Sequence, residues 1–174
     1  MAKPSGYQLI TAGLPPLSFA FLQFVIIEST MLFDRQNLVG LRAPEFPDGL
    51  TWFNLPEPKA LGLKFKDLTK NVVLIDFWTY SCINCIRTLP YLKNWHERYK
   101  DYGLVIVGVH SPEFEFEKDP ENIKRALKEF DITYPVVSDS EHKIWNLYQN
   151  AFWPRKLLVD SKGLIVYDHI GEGA

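Results

Sequence analysis

An almost unbroken apolar stretch spans residues 72–78, in which Asp76 is the one charged position. A run of this length, β-branched at its start and apolar on both faces, is typical of a strand buried in a parallel sheet. Residues 104–109 have the same character and predict a second buried strand. Shorter runs predict strands at residues 135–137, 156–159 and 164–167, the last two as a hairpin across residues 161–163.

Helical periodicity follows the first long run. Apolar residues recur there at spacings of three and four, and polar residues occupy the opposite side, which predicts an amphipathic helix ending near Gly103. The apolar stripe comprises Ile86, Leu89, Leu92, Trp95 and Tyr99. This helix therefore has one face suited to pack against a sheet.

Two further helices are indicated by their start signals. Asp119-Pro120-Glu121 combines a capping acceptor, a proline in the first turn and an acidic residue behind it. Asp139 or Ser140 can cap the other helix, and residues 111–118 are expected to form a loop. The order strand, helix, strand, helix and hairpin predicts an α/β fold with helices on both faces of a central sheet.

The chain has 174 residues, 47% of them hydrophobic, which is enough for one compact domain with a core of its own. We assign residues 38–174 to this domain, with residues 38–60 as its lead-in. Residues 1–37 form an apolar N-terminal arm, in which residues 14–27 have the length of a signal-peptide core and fall short of a membrane span.

Three interpretations of the arm stay open: an export signal or anchor, a helix docked on the domain, or an irregular segment. An export signal favours an extracytoplasmic or membrane-associated location, and a cytoplasmic location is the alternative. A docked helix at residues 19–33 would be about 22 Å long, enough to cover one face of the sheet.

Charge and cysteine content exclude several classes of function. The net charge is −2 and no basic run of five or more residues occurs, so no nucleic-acid partner is expected. Both cysteines of the chain lie in one Cys82-Ile83-Asn84-Cys85 unit. A disulfide-stapled domain needs more cysteines, and a structural zinc site needs four ligands, so no metal site is expected and redox chemistry is favoured.

The position of this unit has a physical meaning. Cys82 lies between a buried strand and a helix, where unpaired N–H groups and the positive end of the helix dipole stabilise a thiolate. Cys85 is one turn further on, close enough to attack a mixed disulfide on Cys82. We therefore predict Cys82 as the nucleophile and Cys85 as the resolving thiol.

Several separated motifs resemble the thioredoxin superfamily. Asp76-Phe77-Trp78 followed by the cysteine pair resembles the strand-to-active-site segment, and Pro90 has the spacing of the kinking proline. Trp153-Pro154 resembles the cis-proline site. Residues 78–85, 108–114, 153–154 and 171–173 together resemble the thioredoxin-like domains of DipZ-type cytochrome-biogenesis proteins, of NHL-repeat-containing proteins and of the wider TlpA/ResA group.

This resemblance implies a thioredoxin-like fold, a mixed sheet with helices on both faces, in which the final helix is missing after Gly173. It implies that Pro154 is cis and helps to hold the substrate backbone, and that Asp76 accepts the proton of Cys85. The carboxyl of Asp76, placed in an apolar strand, is expected to have a raised pKa. Trp78 and Trp153 are expected to form an apolar rim for substrate, with core packing as the alternative.

The predicted activity is thiol–disulfide exchange on protein substrates, in the reducing direction, with no cofactor beyond the cysteine pair. A membrane electron carrier of the CcdA/DsbD kind is the implied partner. Ile83 and Asn84 depart from the Gly-Pro of ordinary thioredoxins, so their redox potential is not transferred.

Two alternatives to thiol–disulfide exchange stay open. Thr79-x-x-Cys82 matches part of a peroxiredoxin signature, although Ile75 replaces its proline, and a thiol peroxidase is therefore one alternative. A Cu(I) metallochaperone that uses both cysteines and one histidine is the other, because soft thiolates bind Cu(I) well.

Overall fold

The computed structural model describes residues 37–55 and 62–173. The six strands of this part are β1 (Thr51–Phe53), β2 (Val72–Trp78), β3 (Leu104–His110), β4 (Val136–Ser138), β5 (Arg155–Val159) and β6 (Ile165–Ile170). Its α-helices are α1 (Ile83–Tyr99), α2 (Pro120–Glu129) and α3 (Lys143–Leu147). Short 3₁₀ helices occur at Phe65–Leu68, Lys100–Tyr102 and Glu115–Lys118.

The predicted arm of residues 1–37 lies outside the described residues except for Asn37, so its three interpretations stay predictions. Within the part of the chain that the structure describes, no helix has the length and apolar character needed to cross a bilayer.

The strands form one mixed sheet in the order β1-β4-β3-β2-β5-β6. β2 lies parallel to β3, and β3 lies parallel to β4. The pairs β1–β4, β2–β5 and β5–β6 are antiparallel. This arrangement confirms the predicted α/β class with a mixed sheet.

Alternate residues of β2 project from opposite faces of the sheet, as the pleat requires. Val73, Ile75 and Phe77 belong to one buried cluster. Leu74 and Trp78 belong to another cluster, which also contains Cys85 of α1. Asp76, which alternates with Leu74 and Trp78, therefore lies on the face that α1 covers.

The predicted helices are present, with two corrections. Asp119 caps α2 as predicted, and its side chain accepts a hydrogen bond from the Glu121 N–H. Asp139 supplies the cap of the next helix, since its carboxylate accepts the N–H groups of Ile144 and Trp145 at 2.9 and 2.8 Å. The helix α3 starts later than expected from this cap, after His142, which has φ +53°.

The segment of residues 111–118, predicted as a loop, contains the 3₁₀ helix Glu115–Lys118. Glu117 is fully buried there. Glutamate and phenylalanine alternate at residues 113–117, a period of two that does not match a helix, which is why the sequence pattern did not predict a helical turn here.

A buried ion pair holds the β5–β6 hairpin. Arg155 and Asp168 form two hydrogen bonds, at 2.8 and 2.6 Å, and their side chains are 1% and 4% exposed. Asp168 also accepts the N–H of Leu38 at 2.9 Å, which attaches the lead-in segment to the hairpin. Because Arg155 directly follows Pro154, this pair also fixes the start of β5.

We predict that Asp168→Asn lowers the free energy of unfolding by about 3–5 kcal/mol, because it removes the anion of a buried, doubly hydrogen-bonded ion pair. Glu172→Gln is the matched control, since its partner Arg87 lies in an exposed pair 3.2 Å away. That change is expected to stay within about 1 kcal/mol. Equilibrium urea unfolding followed by tryptophan fluorescence measures both, and equal effects of the two variants would contradict the prediction.

Candidate functional site

Cys82 lies at the N-cap of α1, four residues after the end of β2 at Trp78. Its backbone is extended, with φ −75° and ψ 108°, and its sulfur accepts a hydrogen bond from the Cys85 N–H at 3.3 Å. The first turn of α1 contains no acidic residue that would compete for the N–H groups. The local geometry is therefore the one that stabilises a thiolate at a helix N-terminus.

Cys85 is the buried partner. Its residue is 0% exposed and packs among Trp78, Leu89 and Leu92, whereas Cys82 is partly exposed. Burial, followed by the hydrogen bond with Cys82, raises the pKa of the Cys85 thiol well above its usual range. Both cysteines are free thiols in this structure. The partly exposed sulfur of Cys82 thus lies one helical turn before the buried, protonated sulfur of Cys85.

Asp76 lies behind this pair, in the middle of the sheet. It is fully buried, and burial raises the pKa of its carboxyl to about 6, although the Lys156 ammonium lowers it in part. Lys156 faces Asp76 across the β2–β5 pair, with Nζ 3.2 Å from Oδ1. The same Nζ donates to the Thr88 hydroxyl at 3.2 Å. Asp76 is therefore a buried carboxyl whose pKa lies about one unit below neutral pH.

The peptide bond between Trp153 and Pro154 is cis, as the resemblance implies. Arg155 pairs with Phe77, so Pro154 lies beside the end of β2, from which the chain continues to Cys82. The Trp153 indole N–H donates to the Ser111 carbonyl at 3.0 Å, and its ring lies 4.3 Å from the Trp145 ring. Trp153 and Cys82 pack at the border of the same buried cluster.

Trp78 does not form a substrate rim, which corrects one of the two roles expected for it. Its side chain is 0% exposed, because it projects from β2 into the cluster under α1. A Cβ on Gly108 would lie 3.0 Å from the Trp78 indole nitrogen, so the glycine of β3 leaves room for this ring. The alternative of core packing is the correct one for Trp78.

The structure adds Glu117, a residue that the sequence analysis missed. Its carboxylate accepts hydrogen bonds from the hydroxyls of Thr79 and Ser81, at 2.5 and 2.6 Å. The N–H groups of Glu113 and Phe114 donate to its other oxygen, at 2.6 and 3.0 Å. Burial raises the pKa of Glu117, but these four donors outweigh it, so the pKa lies below its usual value.

His110 is a second residue without an expected role. It is buried, and burial lowers its pKa to about 4, so the imidazole is neutral at physiological pH. Its Nε2 lies 3.3 Å from the Thr79 hydroxyl, and Tyr80 stacks on its ring at 5.3 Å. No sequence signal could have found this network, because its members lie up to 38 positions apart along the chain.

The same contacts bear on the peroxidase alternative. That alternative uses Thr79 as part of a peroxiredoxin-like signature. The Thr79 hydroxyl is instead hydrogen-bonded to Glu117 and lies within reach of His110, both of them buried. The geometry therefore assigns Thr79 to the support of the Cys82 connection.

Comparison with known proteins places this site in a family. Residues 43–168 match the model of the AhpC/TSA family. The DipZ protein of Mycobacterium tuberculosis is 42% identical over 131 residues, which are 75% of this chain and 19% of DipZ. The human NHL repeat-containing protein 2 is 36% identical over 99% of this chain and 25% of its own length. The chain thus spans a quarter or less of these two relatives.

Shorter relatives match over most of their length. The thiol–disulfide oxidoreductase ResA of Bacillus cereus is 30% identical over 80% of this chain and 74% of its own. The solution structure of a thiol:disulfide interchange protein from a Bacteroides species is similar with a TM-score of 0.60 and 26% identity, over 79% of this chain and 85% of that one. The chain therefore belongs to the AhpC/TSA family and is a thioredoxin-like relative of the thiol–disulfide oxidoreductases.

Proposed function

We propose that this chain reduces disulfide bonds of protein substrates through Cys82 and Cys85. The observation that carries the proposal is the arrangement of three groups at the start of α1 and on the sheet face beneath it. A partly exposed sulfur stands at the N-terminus of α1, a buried sulfur follows one turn later, and the buried carboxyl of Asp76 lies on the same face of the sheet.

The first step is a thiol–disulfide exchange at Cys82. The thiolate attacks one sulfur of the substrate disulfide, so a bond between that sulfur and Cys82 forms while the substrate bond breaks. The second substrate sulfur leaves as a thiolate and takes a proton from solvent. The N–H groups at the start of α1 favour the attacking anion.

The second step releases the substrate. Asp76 takes the proton of Cys85, and the resulting thiolate attacks the Cys82 sulfur of the mixed disulfide. A Cys82–Cys85 bond forms while the bond between Cys82 and the substrate breaks, and the remaining substrate sulfur leaves as a thiolate that takes a proton from Asp76 or from solvent. Two electrons have then passed to the substrate. Asp76 suits this role because a pKa of about 6 leaves its carboxyl mostly ionised at neutral pH, and so able to accept a proton, while it is a stronger base than an ordinary carboxylate.

Substrate recognition is proposed at the cis peptide of Trp153 and Pro154. Pro154 lies beside the end of β2, next to the connection that carries Cys82, so an extended substrate segment there would pass close to the nucleophile. The partly exposed Trp153 offers apolar surface at the same place. This proposal rests on the position of the two residues and on the resemblance to the thioredoxin superfamily.

The oxidised pair must be reduced again after each turnover. The cysteine pair carries both electrons, so we propose that no further cofactor takes part. We propose a membrane electron carrier of the CcdA/DsbD kind as the electron donor, because the resemblance to DipZ-type cytochrome-biogenesis proteins implies such a carrier.

We predict that Cys82→Ser abolishes the reduction of insulin disulfides, because it removes the nucleophile. Cys85→Ser should instead retain the first step and accumulate a mixed disulfide with the substrate, since the resolving sulfur is gone. Non-reducing gel electrophoresis of a stoichiometric mixture of the variant and insulin detects this adduct, and dithiothreitol should cleave it. A Cys82→Ser variant that keeps full activity would overturn the proposed function.

The role of Asp76 predicts a pH dependence of the second step alone. A mixed disulfide of Cys82 with 2-nitro-5-thiobenzoate releases its coloured thiol when Cys85 attacks, so the release rate reports that step. The rate should fall as the pH drops through about 6, because Asp76 is then protonated and cannot accept the Cys85 proton. Asp76→Asn should remove this acid limb of the pH–rate profile, the fall in rate below about pH 6. It should also slow release at neutral pH by about 10²-fold or more.

The partner of Asp76 supplies the matched variants. Lys156→Met removes the ammonium that lowers the pKa of Asp76, so the limb should move to higher pH. Lys156→Arg keeps the charge and should leave the limb near its original position. Identical profiles for the Asp76→Asn variant and the unaltered chain would rule out Asp76 as the proton acceptor.

A further inference from the structure

Glu117 presents a buried negative charge at the active-site connection. All four of its hydrogen bonds come from neutral donors: the hydroxyls of Thr79 and Ser81 and the N–H groups of Glu113 and Phe114. These bonds keep the carboxylate ionised despite its burial. None of the ion pairs found among residues 37–55 and 62–173 includes Glu117.

The charge lies close to the nucleophile. Ser81 directly precedes Cys82, and its hydroxyl is 2.6 Å from the Glu117 carboxylate. Standard covalent dimensions then place the carboxylate at most about 12 Å from the Cys82 sulfur. Over such a distance through protein, two unit charges still interact by an amount comparable to a tenfold change in an equilibrium constant.

The segment that holds Glu117 also supports both sides of the site. Its Phe116 carbonyl accepts the Tyr80 hydroxyl at 3.0 Å, on the side of Cys82. Its Ser111 carbonyl accepts the Trp153 indole N–H at 3.0 Å, on the side of the cis peptide. The carboxylate therefore has a fixed position relative to the reacting sulfur.

We propose that Glu117 is a positioning residue whose fixed negative charge disfavours the Cys82 thiolate and thereby biases the Cys82–Cys85 pair towards its disulfide form. This inference rests on the proposed function and addresses its direction. Oxidation of the pair converts two thiols into one disulfide and releases two protons and two electrons, which the substrate disulfide takes up as it becomes two thiols. A group that destabilises the reduced pair makes it a stronger reductant, the reverse of an oxidant whose reduced form is stabilised.

Other titratable groups face the pair from the neighbouring elements. α1 contributes Cys85, which stays protonated, and β2 and β5 contribute the Asp76–Lys156 pair. β3 contributes the neutral His110. α2 contributes Arg125, which lines the same surface pocket as Ser81 and Phe116. Glu117 contributes a negative charge that forms no ion pair among the described residues, and this charge opposes the favourable field of the α1 N-terminus.

The variant Glu117→Gln removes the charge and keeps the shape. The Gln oxygen can still accept the N–H groups of Glu113 and Phe114, while its amide can donate to the hydroxyls of Thr79 and Ser81. The Thr79 hydroxyl can then turn its proton towards His110 Nε2, 3.3 Å away, and the exposed Ser81 can donate to water. The network stays satisfied, so the variant is expected to fold.

The main measurement is the pH dependence of Cys82 alkylation by iodoacetamide in a Cys85→Ser background, where Cys82 is the sole thiol of the chain. Glu117→Gln should lower the midpoint of this profile by about one pH unit, because the thiolate forms more easily without the adjacent carboxylate. In the chain with both cysteines, the equilibrium with glutathione at about pH 9.5 should shift about tenfold towards the dithiol, or about 30 mV. At about pH 6 the shift should be small.

Two controls separate charge from contact. Glu115→Gln removes an exposed charge two residues away, and Ser81→Ala removes one hydrogen bond but leaves the Glu117 charge in place. Both midpoints should stay within about 0.3 pH units of the unaltered chain, which is a twofold change. An unchanged midpoint for Glu117→Gln, a midpoint that moves upward, or a variant that does not fold would each overturn the inference. None of these outcomes touches the proposed function, which the Cys82→Ser variant tests separately.

Discussion

The site depends on one constraint: Cys82 must occupy the N-cap of α1, a short connection after the end of the central strand β2. β2 ends at Trp78 and α1 starts at Ile83, so the connection is short and the nucleophile occupies the N-cap. Trp78 fixes one end of the connection because its ring is buried between the sheet and α1. Cys85 fixes the other end, packed in the same cluster. Without this anchoring, the helix dipole and the open N–H groups would not point at a sulfur.

The sequence predicted the fold and the position of the cysteine pair between a buried strand and a helix, because both depend on local pattern. The buried runs at β2 and β3, the stripe of α1 and the Asp119 cap each lie within one short segment. The cysteine spacing is local too. The cis peptide between Trp153 and Pro154 was expected from the resemblance to the thioredoxin superfamily and not from the local pattern. The burial of Asp76 followed from a single charge within an apolar run, and burial raises its pKa as expected.

Residues whose role depends on distant partners could not be predicted. In the sequence, Lys156 is a polar residue at the start of a predicted strand. Only the β2–β5 register places it opposite Asp76. Glu117 stands in a charged segment typical of an exposed loop, yet it is buried because its donors come from Thr79, Ser81 and its own turn. The rim role of Trp78 failed for a related reason, since periodicity alone did not tell which face of β2 the helix α1 covers.

The two buried carboxylates of this site are treated differently by the fold, and the difference assigns their tasks. Among the described residues Asp76 has one polar partner, the Lys156 ammonium 3.2 Å from its Oδ1, so burial outweighs this partner and raises the pKa of Asp76 to about 6. Glu117 has four donors, so its charge persists at any pH at which the thiols react. A carboxyl near its pKa can exchange a proton with Cys85, whereas a permanently ionised one can only act through its field. The same chemical group is therefore a carboxyl near its pKa in Asp76 and a fixed negative charge in Glu117, which is what the proposed roles of the two residues require.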